Sequence, residues 1–436
     1  MSNKTTTNVI STEARIHLSC SVARKMIRAL AFLFLATTCL PALAAPPVAY
    51  HEPIEDLRVK VLGGAVVIQR SFTDGKWHPN LSWAPLKLTL DSLDGSVKGI
   101  TRDKFEYVKT APGVFAYLKR NTIRQTQTGF RWADRSGNWI DYDPQGLITA
   151  YGDRNDVKVT FVYETIGSGK RISGIKDHLD RQVIWYEYTN DQLTAIRDHT
   201  NRRVRYQYTS GNLTSVIDVN GHTWTYGYTD NVPTTFTDPE NRTIARTWAN
   251  NGEIASIRYA DGVGTDYKYE YDSGKTLYYR QEKTTGGRIT ETWTNKDGEV
   301  VRQDLNGKTQ KALSIDTVGR TRTETDPRGL KTVRTYDEWD NEIKITYPDG
   351  ATVTITYDPI YSNPLQKTNE LGVITKYEYD TKGNLTKLTE ALGKPEQRVT
   401  EYVYDTQGRR LTETKKGGTV TLPDNSAVTI ADATTA

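Results

Sequence analysis

Gly211-Asn212-Leu213-Thr214-Ser215-Val216-Ile217-Asp218, running on to Tyr226-Gly227-Tyr228, is the stretch that decides the fold. Nearly the same phrase stands about twenty residues earlier, where Asp191-Gln192-Leu193-Thr194-Ala195-Ile196-Arg197-Asp198 leads to Tyr206-Gln207-Tyr208. It returns as Gly383-Asn384-Leu385-Thr386-Lys387-Leu388, ahead of Tyr402-Val403-Tyr404-Asp405. A fixed internal period is the mark of a repeat architecture. Leu213, Ser215 and Ile217 alternate with Thr214, Val216 and Asp218, and Tyr226 shares a face with Tyr228, both at strand spacing. Asp218-Val219-Asn220-Gly221 and Thr209-Ser210-Gly211-Asn212 supply turn formers. Two strands of about six residues and two turns of about four sum to roughly twenty, so one repeat is one β-hairpin.

Helical spacing does not compete, because Gly and Thr interrupt each candidate run. A lone hairpin is marginal in water, so successive hairpins are expected to pair into a long twisted sheet. The recurring aromatics Tyr186, Tyr188, Tyr206, Tyr208, Tyr226, Tyr228, Tyr377, Tyr379, Tyr402 and Tyr404 read as structural. Stacked equivalents would form ladders about 4.7–4.9 Å apart, each cross-strand pair contributing about 0.2–1 kcal/mol. The period slackens from Asn231 to Trp248 and from Tyr267 to Thr309, then resumes at Ala312, Asn341 and Pro364.

Tyr336-Asp337, Tyr357-Asp358, Tyr379-Asp380 and Tyr404-Asp405, with the Gly-x-Leu openings, resemble the Rhs/YD-repeat family over about residues 141–411. The resemblance implies a spiralling β-sheet that closes into a hollow shell, which in bacterial members holds a C-terminal toxin. The fold expected here is therefore all-β: an array of hairpins forming a long curved or spiralling sheet, a partial shell, behind a β-rich N-terminal module. Family shells end in a core motif, approximately Asp-Pro-x-Gly-Leu followed by Gly-x-Asn-x-Tyr. Asp326-Pro327-Arg328-Gly329-Leu330 begins like it, but Lys331-Thr332-Val333-Arg334-Thr335-Tyr336 continues as an ordinary repeat. Truncation before the core motif and toxin is the reading favoured.

Arg24, Lys25 and Arg28 precede the apolar run Ala29-Leu30-Ala31-Phe32-Leu33-Phe34-Leu35-Ala36, and Pro41 with Ala42-Leu43-Ala44 follow. This is the order of a secretory signal peptide, working equally well from Met1 or Met26. The run is short for a membrane span, so no stable span is expected after cleavage. Both cysteines, Cys20 and Cys39, leave with residues 1–44, which excludes disulfide chemistry from the mature chain. That segment carries five basic residues and one acidic residue, so the totals of 57 and 53 become 52 and 52. A neutral mature chain argues against a nucleic-acid partner, and the one dense cluster, Arg202-Arg203-Val204-Arg205, reads as a solvated face. The expected location is secreted, periplasmic or on the outer cell surface.

The domain reading is residues 1–44 signal peptide, 45–56 linker, 57–140 N-terminal module, 141–411 repeat array and 412–436 an incomplete last repeat or frayed end. In the module, Val59-Lys60-Val61-Leu62 and Ala65-Val66-Val67-Ile68-Gln69 flank Gly63-Gly64 as a hairpin, and Asp74-Gly75 marks a further turn. The resemblance likens this module to the regions that precede family shells and often plug them.

Few residues in the chain stand in a pattern that points to chemistry. Asp177, Asp198, Asp218 and Asp238 recur in one slot and read as Asx turns, with the side chain bonding backbone two residues on. A calcium ladder is the alternative, but the glycine-dense calcium nonapeptide is missing. His178, His199 and His222 sit in neighbouring turns without a completing ligand set. Gly167-Ser168-Gly169 lacks the fuller nucleophile elbow. No catalytic residue, metal or cofactor is expected. The leading function is a non-catalytic exported structural protein, part of a β-shell enclosing a toxin or effector. A cell-surface protein binding carbohydrate or a partner is the second reading, and an enzyme the third. An open sheet edge would invite self-association.

Overall fold

In the computed structural model the description covers residues 50–435, apart from 74–75, 104, 118–120, 250–251, 274–276, 296–297 and 422–425. The signal segment, both cysteines and the Asp74-Gly75 turn therefore lie outside the described residues. The chain is all-β, and the one helical turn among the described residues is the 3-10 turn Leu81–Trp83. Short strands follow one another in chain order in a long antiparallel sheet. Two compact units divide the chain: residues 50–81 with 162–254, and residues 82–161 with 255–435. The divisions fall inside strands, Lys158–Ile166 and Ile254–Tyr259. Near residue 141, Trp139–Tyr142 pairs with Gly129–Asp134 on one side and with Ile148–Gly152 on the other.

In the repeats of the first unit two kinds of turn alternate. The narrow kind is closed by Thr189↔Gln192, Thr209↔Asn212 and Thr229↔Val232. Its central pairs Asn190/Asp191, Ser210/Gly211 and Asp230/Asn231 all have positive φ. That is the type I′ geometry, whose twist matches the flanking strands. The wide kind spans five residues and opens most often on Asp or Asn, as in Asp218–His222 and Asp380–Asn384.

The strict alternation read for Leu213–Asp218 does not hold. Tyr208 pairs with Leu213 and Gln207 with Ser215, so Thr214 is skipped and Val216 returns to the face of Leu213. A β-bulge inserts one unpaired residue and resets the faces. The same shift follows Glu187, Gly227, Thr335, Thr356, Glu378 and Val403, once per hairpin. The threonines in that slot bond backward: Thr194, Thr214 and Thr386 donate to the carbonyls of Glu187, Gln207 and Glu378.

The expected tyrosine-on-tyrosine ladder is also corrected. Equivalent tyrosines belong to every second strand, because a hairpin contributes two. Tyr206 therefore pairs with Val216, which pairs with Trp224, and Tyr226 pairs with Phe236. The rows mix aromatic and aliphatic side chains, with Trp224 and Phe236 stacked at 5.3 Å.

In the first unit a three-stranded sheet, β1 (Tyr50–Val61), β2 (Gly64–Thr73) and β3 (Lys76–Pro79), lies on the tyrosine face of the repeats. β1 takes in residues 50–56 of the segment read as a linker. Val61 pairs with Gly64, so the β1–β2 turn is Leu62-Gly63, one residue earlier than the Gly63-Gly64 expected from sequence. Leu57, Val59, Val66, Ile68 and Phe72 from this sheet and Ile196, Val204, Leu213 and Val216 from the repeats are all buried. The second unit holds its own core of Ile100, Tyr107, Phe115, Ile123, Phe130, Tyr142 and Ile148.

Candidate functional site

Wide turns that open on aspartate are built on its carboxylate. Asp218 Oδ1 accepts the amides of Asn220 and His222, at 2.8 and 2.9 Å. Asp177, Asp198 and Asp238 do the same for the residues two and four positions on. Asp143, Asp153, Asp326, Asp337, Asp380 and Asp405 repeat the pattern outside the first unit. The second oxygen holds the fifth residue of the turn: Arg181, Arg202, Arg242 and Arg409 by ion pairs, and Asn341 and Asn384 by their amides. Burial acts to raise the Asp177 and Asp198 carboxyls, but the arginine and backbone hydrogen bonds outweigh it and hold both below the usual value. At Asp177, Asp198, Asp218, Asp238, Asp337, Asp380 and Asp405 both carboxylate oxygens are thus engaged by the turn itself.

The closing aromatic pair divides its work. The second member pins its own hairpin. Tyr188, Tyr228, Tyr357 and Tyr379 donate their hydroxyls to the carbonyls of Ile172, Leu213, Glu342 and Pro364, at 2.7, 2.6, 3.0 and 2.8 Å. In the irregular repeat, Trp248 Nε1 makes the equivalent bond to the Pro233 carbonyl at 3.0 Å. Tyr208 and Tyr404 hold the same strand position. Burial pushes the Tyr188 and Tyr228 hydroxyls up to about 12.

The first member points into the layer above. Tyr206 donates to Asp56 Oδ2 at 2.8 Å, and Arg70 Nη2 donates to the Tyr226 hydroxyl. Arg70 also pairs with Asp56, and both side chains are nearly closed to solvent, at 6% and 3% exposure. Trp77 Nε1 donates to the Tyr228 hydroxyl at 2.9 Å, and its ring meets Tyr226 edge-on. Tyr186 is buried as well, whereas Tyr377 and Tyr402 in the second unit are half-exposed. Sequence reading missed this Asp56–Arg70 contact, because nothing local to either residue signals a partner about 150 positions away.

His222 Nδ1 lies 3.2 Å from Asp218, and the His199 amide donates to the Val183 carbonyl. Among the described residues no three His, Cys, Asp or Glu side chains gather as a metal site. Arg202 pairs with Asp198 and reaches the Arg58 carbonyl, while Arg203 pairs with Glu187. Gly167-Ser168-Gly169 bridges two strands as a turn, Gly167 having φ +54.

In the second unit, turns from its two chain segments meet along a seam. Arg135 donates to the Pro359 carbonyl and the Ser362 hydroxyl and stacks over Trp339. Asn155 and Asn384 exchange amide hydrogen bonds at 3.3 and 3.2 Å. Gly383, at φ +82, leaves room for Tyr361, since a Cβ there would stand 2.7 Å from its ring.

The family model RHS Repeat matches residues 316–352 and 363–395. The chain carries RHS repeats. The matched stretches include the Asp turns at 326, 337 and 380 and the pinned Tyr379. Among curated proteins none matches the chain. Among solved structures, the array is similar to the crystal structure of TcdB2-TccC3-Cdc42, at 12% identity and TM-score 0.41, over 87% of this chain and 26% of that one. A structure of the Photorhabdus luminescens Tc holotoxin pore gives 12% identity and TM-score 0.42, over 87% and 25%. The chain spans about a quarter of the length of these structures.

Proposed function

We propose that this RHS-repeat protein is a non-catalytic, exported wall element, contributing part of a β-shell around an effector polypeptide. The observation that carries the reading is how the recurring groups are spent: the slot aspartates, the second tyrosines at 188, 228, 357 and 379, and the bulge threonines at 194, 214 and 386 hold backbone of their own hairpins. A reacting group needs a free lone pair or a free proton, and these engaged side chains spend theirs on the hairpin. The RHS repeats support the structural role, and the shell is the use that the resemblance implies for such a wall. Export rests on the order of charged, apolar and small residues before Ala45.

The test is to append a protease-sensitive reporter domain after Ala436 and follow its digestion in the purified protein. Enclosure predicts that the reporter outlasts the same domain free in solution. Digestion at the free rate would overturn the shell. Export is tested separately, by fractionating cells that express the chain from Met1 or from Ala45. Only the first should leave the cytoplasm.

A further inference from the structure

The tyrosine face of the RHS array is covered in the first unit and carries two open hollows in the second. One hollow is lined by Glu324, Asp326, Leu330, Thr332, Arg334 and Tyr347, and has a volume of about 290 Å³. The other, also about 290 Å³, is lined by Lys367, Asn369, Val373, Thr375, Tyr377 and Glu390, each 43 residues beyond its counterpart. Three successive strands and their turns frame each hollow, and the lining recurs every two hairpins. Strands Thr321–Thr325 and Pro364–Thr368 stand four apart in the sheet, which sets the hollows about 19 Å from each other. An extended polypeptide covers that distance in about six residues.

The register says which face this is. Tyr377 is the first aromatic of its pair and faces Leu388 across the strands, as Tyr206 faces Val216. In the first unit that face is occupied by polypeptide: Asp56 and Arg70 engage the first tyrosines, and Trp77 packs beside them. In the second unit Tyr377, Leu388, Ile345 and Arg334 on the same face are half-exposed, and Leu330 at the rim is exposed. Among the described residues no hydrogen bond reaches the Tyr377 hydroxyl.

We infer that these two hollows are tandem docking sites for an extended polypeptide, which seats an apolar or aromatic side chain in each and meets the Tyr377 hydroxyl with a polar one. The inference rests on the shell reading, and names the chemistry by which the wall holds its occupant. Polypeptide is favoured over glycan because the same register already takes β1–β3 of this chain.

The probe is a fluorescein-labelled synthetic peptide of residues 57–79, the segment that covers the equivalent face. It is titrated by anisotropy into the full mature chain. Saturable binding is expected, weakened about tenfold, or about 1.4 kcal/mol, by Leu330→Asp and measurably by Tyr377→Phe, with no change for Thr354→Asp on the opposite face. Absence of saturable binding, or equal binding by all variants, overturns the inference. So does binding of a soluble glucan at the hollows with no binding of the peptide. The reporter-digestion experiment reads the shell independently, so either conclusion can fall alone.

Discussion

At the scale of single residues, the RHS repeat uses side chains as replacements for backbone partners. Asp198 is fully buried, and its two oxygens accept from the Thr200 and Arg202 amides, the Thr200 hydroxyl and the Arg202 guanidinium. Asp198→Ala removes a buried acceptor from the part-buried Thr200 and Arg202 amides, and hydrogen bonds to charged groups contribute about 1.5–3 kcal/mol each. The expected loss is roughly 2–4 kcal/mol in urea unfolding of the mature chain. Asp238→Ala, in the same slot on an exposed turn, should cost less than half as much, because water replaces the lost acceptor. Equal losses at the two sites would show that burial is not what makes the slot expensive. Tyr379→Phe removes one hydroxyl bond to the Pro364 carbonyl and should cost about 1 kcal/mol.

At the scale of elements, pairing follows from the period, whereas register and docking do not. The hairpin, its length and its turns were legible because Gly211-Asn212 and Asp218-Val219-Asn220-Gly221 announce turns locally. The bulge was not, because Thr214 reads as an ordinary strand residue until its neighbour across the sheet is known. A signal was present all the same: threonine recurs at 194, 214, 234 and 386, within the first three residues of its strand. No signal pointed to Asp56 and Arg70, whose pairing depends on where β1–β3 comes to rest. That contact supports a prediction. Removing one partner of a buried ion pair costs about 3–5 kcal/mol, while replacing both by apolar residues of similar volume is often neutral. Asp56→Leu and Arg70→Met should each destabilise the first unit strongly, and the double variant should recover most of the loss. A double variant as unstable as the sum of the singles would mean that the Tyr206 and Tyr226 hydroxyls, not the pair, hold the layer. The seam of the second unit offers a parallel case. Asn155→Asp removes the donor to Asn384 and sets oxygen against oxygen, so a loss of about 1–2 kcal/mol is expected by the same urea assay.

At the scale of the whole molecule, the repeats set the pH range in which the protein is stable. Asp177, Asp198, Asp218, Asp238 and Asp405 all lie below the ordinary carboxyl value of 3.8; burial opposes the shift, and hydrogen bonds from backbone amides and the fifth turn residue overcome it. The unfolded chain therefore takes up these protons first as pH falls. Their stabilisation is complete above about pH 4 and is lost below it, as pH falls through the folded values. The tyrosines act at the other limit. Burial raises Tyr188, Tyr228 and Tyr279 from 10.0 to about 12, so the unfolded chain releases these protons first. Their contribution is complete below pH 10 and is lost as pH rises towards 12. Many copies of the same two groups should give a plateau in thermal midpoint between about pH 4 and pH 10, with a fall on each side. Tyr188→Phe with Tyr228→Phe should lower the plateau and make the alkaline fall shallower, while leaving the acid fall in place. A midpoint that stays level past about pH 11 in the parent chain would contradict the assignment. It would mean that the tyrosine hydroxyls reach water and that the hairpins are held by packing alone.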